Sequence, residues 1–74
     1  MAPDKLVYMA NQIATFFKSQ PENEAAEGVA NHISDFWAPR MRKQLFDMIA
    51  EGNADFHPLV LKAAPKIRKV KEDA

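Results

Sequence analysis

The side chains able to do chemistry in this 74-residue chain are few and scattered. There are two histidines, His32 and His57, and no cysteine. Without cysteine, no disulfide, thiolate metal site or thiol nucleophile can form, and sulfur cannot be carried on a side chain. The two histidines lie far apart and lack metal-ligand spacing. No Ser-His-Asp order or paired-carboxylate site is visible. The two glycines, Gly28 and Gly52, are too far apart to form a phosphate-cradling loop. His32 falls at the polar edge of an amphipathic segment, where a half-exposed surface histidine is expected. His57 precedes Pro58, where it is expected to help start a helix rather than do chemistry. No catalytic, cofactor-binding or metal-ligating residue is therefore expected, and neither is an enzyme acting alone.

The densest gathering of aromatic and cationic groups is "DFWAPRMRKQL", Asp35 to Leu45. Trp37 lies on an apolar face and is expected in the core. Pro39 pushes the residue before it out of α geometry, so it ends one helix or starts the next. Arg40 and Lys43 fall outside the apolar arc of the following helix. Arg42 falls inside it, between Ile49 and Phe46. An arginine so placed must bury its stem and find a partner for its guanidinium. Either a carboxylate of this chain (Asp35 is nearest in sequence) or another protein would supply that partner. Cations are not favoured at a helix N-terminus by its dipole, which sharpens the need for a compensating anion.

The elements that position these residues read as helices throughout. Pro3 and Asp4 suit a helix start, and apolar residues then recur at helical spacing to about Ser19. Leu6, Ala10, Ile13 and Phe17 form one row, flanked by Met9 and Phe16 and by Val7 and Ala14. This arc covers about half the circumference, which is wide for a single packing partner. A second helix runs from about Glu22 to Trp37, with acids crowding its first turns. Gly28 sits mid-helix, as a cost of about 1 kcal/mol relative to alanine or as a close contact. A third helix runs from about Pro39 to Glu51, and Gly52 is placed to cap it. "FHPLVLKAAP" gives a short fourth helix that Pro65 should end.

The expected architecture is an all-α single domain over residues 1–74, with three main helices, a short fourth and a loose charged tail. Order is expected over about 3–65, with 66–74 frayed. The expected core is Leu6, Ile13, Phe17, Val29, Ile33, Phe36, Trp37, Leu45 and Ile49. A chain this short buries only about 60% of its unfolded surface, so a binding partner is the remaining source of stability.

Formal net charge is zero, whereas nucleic-acid binders usually carry a basic surplus. A helix reading DNA from near Pro39, through Arg40, Arg42 and Lys43, is the lesser alternative. No apolar run approaches the ~18 residues of a membrane span. "MAPDKL" lacks the basic-then-apolar order of a signal peptide, so a soluble, cytoplasmic protein is expected.

Three blocks, "KLVYMANQIATFF", "GVANHISDFWAPRMRKQL" and "HPLVLKAAPKIR", resemble the delta subunit of cytoplasmic NAD-dependent formate dehydrogenase. They stand in that family's order and spacing and cover about residues 5–68. The matching positions are Met9, Ala10, Asn11, Gln12, Ile13, Phe16 and Phe17, then Ile33, Phe36, Trp37, Pro39, Arg40, Met41 and Arg42. The resemblance implies a non-catalytic accessory subunit, associated with assembly or stability of the large catalytic (alpha) subunit. It also implies a complex that holds a molybdenum or tungsten pterin, iron–sulfur clusters and flavin, none of them bound by this chain. Arg40, Arg42, Asn11, Gln12 and Lys43 are the expected partner-docking residues. Self-association of the isolated chain stays open.

Overall fold

A computed structural model describes residues 2–52 and 54–70. Helix α1 runs Pro3–Phe17, α2 Glu22–Phe36, α3 Pro39–Glu51 and α4 Pro58–Ala63, followed by a 3-10 turn over Ala64–Lys66. The described residues hold no strand. These are the three main helices and short fourth that the periodicity predicts.

Local chemistry sets the boundaries. Pro3, Pro39 and Pro58 each open a helix, where the missing N–H would have no partner anyway. Asp4 lies in the first turn of α1, and Glu22 and Glu24 in that of α2, each favourable at the positive end of the dipole. Gly52 ends α3 in the left-handed conformation, φ 73° and ψ 17°, which glycine reaches without strain. Its N–H donates to the carbonyls of Met48 and Ile49 at 3.2 Å. The His57 side chain caps α4, its Nδ1 accepting from the Leu59 N–H at 3.0 Å. The helix-starting role expected of His57 is the one it has.

Helix α2 is central and packs closely against α1 and α4. The buried faces carry small residues: Ala10 and Ala14 on α1, Ala25, Ala26 and Ala30 on α2, and Ala63 on α4. Small side chains let helix axes approach. The larger buried groups Leu6, Val29, Ile33, Leu45 and Val60 then fill the space between turns. Helix α3 stands further from its neighbours and reaches the core through longer side chains. Leu45 and Arg42 are buried there, with Met41, Phe46, Met48 and Ile49 partly buried around them.

Of the expected core, Leu6, Val29, Ile33, Trp37 and Leu45 are buried, and Ile13, Phe17 and Ile49 are partly so. Phe36 is not core: it is 75% exposed. It is the last residue of α2, and at Trp37 the backbone leaves the helix for φ −87°, ψ 134°. That turn swings the indole inward, to 5% exposure, and leaves nothing to cover Phe36. The C-terminal boundary also moves. Ile67, expected in the frayed tail, is 2% exposed and belongs to the core. The Arg68 N–H donates to Ser34 Oγ at 2.9 Å, which holds this segment on α2. Residues 71–74 of the expected tail lie outside the described residues.

Candidate docking surface

The five expected docking residues do not gather on one face; they divide into an inward pair and an outward group. Asn11 turns to the linker before α4. Its Nδ2 donates to the Asp55 carbonyl at 2.9 Å and its Oδ1 accepts from the His57 N–H at 2.8 Å. One amide thereby pairs two backbone groups of a segment with no helical bonds of its own.

Arg42 also turns inward and is only 7% exposed. Asp35, the carboxylate nearest in sequence, does not hold it. Its Nη1 donates to the Ser34 carbonyl at 3.0 Å, and Asp35 pairs with Arg68 instead, at 3.6 Å. Ser34 lies in the last turn of α2, where carbonyls lack intrahelical donors and the dipole is negative. The end of a helix therefore does the work expected of a carboxylate. Nε of Arg42 is buried without a hydrogen-bond partner. Ser34 is thus a junction, its carbonyl held by α3 and its hydroxyl by the C-terminal segment.

Gln12, Arg40 and Lys43 face outward. Lys43 bonds Asp47 one turn along, at 3.3 Å. The structure does not support a DNA-reading helix at Pro39. Of the three cations proposed for it, Arg42 points into the protein and Lys43 is bound to an acid, so only Arg40 remains.

Gln12 lines a groove between α1 and α2 with Ile13, Phe16, Phe17 and His32, of about 290 Å³. Apart from Gln12 and His32, the lining is apolar. Phe16 and Phe17 meet edge to face, their centroids 5.0 Å apart. Phe17 is wedged against α2 at Gly28, where an added Cβ would stand 2.5 Å from its ring. The mid-helix glycine is therefore a close contact. On the other wall His32 stacks on Phe36, with centroids 4.8 Å apart and planes tilted 35°. Phe16 thus lines the cleft at 76% exposure, and Phe36 adjoins it through His32. The over-wide arc of α1 has its explanation here: part packs on α2, and part stands in water.

A larger groove, of about 460 Å³, lies between α1 and α3, lined by Pro3, Asp4, Val7, Gln44, Met48, Glu51 and Ala54. No aromatic residue lines it, unlike the α1–α2 cleft. The α1–α2 cleft is the better candidate for contact with another protein, since exposed aromatics around a pocket are the usual anchors of such contacts.

Nothing in the cleft is arranged for bond-making. It offers apolar area, two aromatic rims and the polar edges of Gln12 and His32, which suit binding. Among the described residues no group of three His, Cys, Asp or Glu could hold a metal ion. No described helix is long and apolar enough to cross a membrane. Sequence reasoning missed Phe36, because helical phase predicts burial only where the helix continues or a neighbour covers its end. It also missed Ser34, for which sequence carries no signal.

The chain matches no curated protein. It does match the family model described as NADH-dependent formate dehydrogenase delta subunit FdsD, over residues 5–64. That span includes α1 from Lys5 onward, α2, α3 and α4, both walls of the cleft and the Asn11 and Arg42 contacts. The chain therefore belongs to the delta-subunit family of NADH-dependent formate dehydrogenase.

Proposed function

We propose that this chain is a non-catalytic accessory subunit that binds the catalytic (alpha) subunit of formate dehydrogenase and supports its assembly, cofactor maturation or stability. The α1–α2 cleft is the surface that makes the contact. The observation that carries this reading is an apolar groove lined by Phe16, with Phe36 stacked on its wall residue His32, both phenylalanines three-quarters exposed. A small domain that leaves two phenylalanines in water forgoes about 1.5–3 kcal/mol for each, relative to burying them. A partner that covers them recovers that energy as affinity.

The family places the chain among formate dehydrogenase subunits. With no cysteine it cannot supply thiolates to an iron–sulfur cluster. The molybdenum or tungsten pterin, the clusters and the flavin expected of the complex would all reside in other subunits. This chain would act on them only through contact with the protein that holds them.

The test is deletion of the chain in its native cell, with formate oxidation, metal content and transcript levels measured. Activity and cofactor load should fall while transcripts are unchanged, and expression of the wild-type chain should restore both. A deletion strain with full activity and a complete cofactor load would refute the proposal.

A further inference from the structure

Helix α3 is joined to the rest of the protein differently from the other helices. Helices α1, α2 and α4 meet closely through faces that carry alanines. Of the residues of α3, only Arg42 and Leu45 are buried. Met41, Phe46, Met48 and Ile49 are partly covered. A groove of about 460 Å³ lies between α3 and α1, with Gln44, Met48 and Glu51 on one side and Pro3, Asp4 and Val7 on the other. Little buried apolar area therefore opposes the departure of α3 from its neighbours.

The polar attachment is weak as well. Arg42 Nη1 donates to the Ser34 carbonyl on α2, but its Nε is buried without a hydrogen-bond partner. A buried donor left unpaired costs free energy, and the cost is relieved when water reaches it. Opening α3 would bring that water. The latch that holds the helix thus also favours its release.

Both ends of α3 have room to turn. Trp37 is anchored in the core, and Ala38 after it is exposed and extended, with φ −62° and ψ 150°. At the far end Gly52 is exposed and left-handed, and a Cβ built there would meet nothing within 4 Å. Residues at the ends of elements, free to change φ and ψ, are where hinges form.

We infer that α3 opens as a unit from a folded core of α1, α2 and α4, swinging on Ala38 and Gly52. The opening uncovers the row Met41, Leu45 and Met48 on α3 and the edge of α1 at Val7. It gives this small chain a second apolar surface that the closed form conceals. The motion is a property of this chain alone and does not depend on what the α1–α2 cleft binds.

The test is native-state hydrogen exchange of the purified full chain, under conditions where exchange reports opening equilibria. Corrected for intrinsic rates, amides in the middle of α3, at Leu45 and Phe46, should exchange at least about tenfold faster than those of Val29 and Ala30 on α2. They should also respond less to low urea, because opening α3 exposes less surface than unfolding the domain. Val60→Ala separates the two processes further. Val60 is fully buried in α4, which packs on α2 and α1, so its contacts persist when α3 opens. The substitution should speed exchange on α2 about tenfold or more and leave that on α3 unchanged.

Equal protection on α2 and α3, with the same urea response, would make the domain a single cooperative unit and overturn the inference. So would a Val60→Ala chain in which both helices quicken by one factor. Fast exchange at Leu45 and Phe46 with no urea response at all would mean fraying within α3, and would equally count against opening as a unit. Should Val60→Ala fail to fold, the urea response of the wild type decides.

Discussion

Gly28 gives the sharpest test of how the cleft is built. In the middle of α2, glycine costs about 1 kcal/mol relative to alanine, so Gly28→Ala at an unconstrained site would stabilise the helix. Here the new methyl would stand 2.5 and 2.6 Å from two ring carbons of Phe17, closer than any real carbon contact. The ring must shift, and overpacking of this kind costs about 1–3 kcal/mol. Gly28→Ala alone should therefore be neutral or destabilising by up to about 2 kcal/mol.

Removing the ring first reverses the sign. Phe17→Ala should cost about 2 kcal/mol, less than the ~3–5 kcal/mol of a fully buried phenylalanine, because the ring is only partly buried. In that background Gly28→Ala should stabilise by about 1 kcal/mol. The coupling in the double-mutant cycle is about 1–3 kcal/mol, well above the additive error for distant sites. Urea melts of the four proteins measure it directly. Thermal melts should show the same reversal, at about 4–8 °C per kcal/mol for a domain of this size. If Gly28→Ala stabilises equally in both backgrounds, Phe17 does not rest on α2 at this point, and the groove wall is wrongly drawn.

Other expectations follow from single contacts. Asn11→Ala frees two backbone groups of the linker and should cost about 1–3 kcal/mol, read by urea melts, with faster hydrogen exchange at the His57 amide. Arg42→Ala removes a charge-assisted bond to the end of α2 and should lower stability by about 1.5–3 kcal/mol. Binding per folded molecule should be unchanged; a variant that melts like wild type but binds poorly would make Arg42 a docking residue after all. Phe36→Ser should leave the melting temperature nearly unchanged, since the ring is exposed, yet weaken association with the catalytic subunit.

The helices were legible because their punctuation is strong. Three prolines at helix starts, acids in the first turns of α1 and α2, and Gly52 after α3 mark boundaries that the structure reproduces closely. The inner rows of α1 and α2 were legible from their period. What failed was at the ends. Phe36 has the phase of a core residue but the position of a last one, and phase means nothing where the helix stops. Ile67 sits among lysines and an arginine, so composition predicted a loose tail, whereas its own N–H on the Ala63 and Ala64 carbonyls, the Arg68 bond to Ser34 and its buried side chain hold it. Arg42 was correctly suspected of lying inside the apolar arc. Its partner was missed because a helix terminus is an acceptor no residue type announces.

The central claim is the proposal that this chain holds the catalytic subunit of formate dehydrogenase through the α1–α2 cleft, lined by Phe16 and adjoined by Phe36. Its most direct test is affinity capture from the native cell. Tagged wild type would be compared with a Phe16→Asp, Phe36→Asp double variant whose fold is first checked by circular dichroism. Wild type should retain the catalytic subunit, identified by mass spectrometry, and the folded double variant should not. Equal retention by both would place the contact elsewhere on the surface, and no retention by wild type would contradict the account.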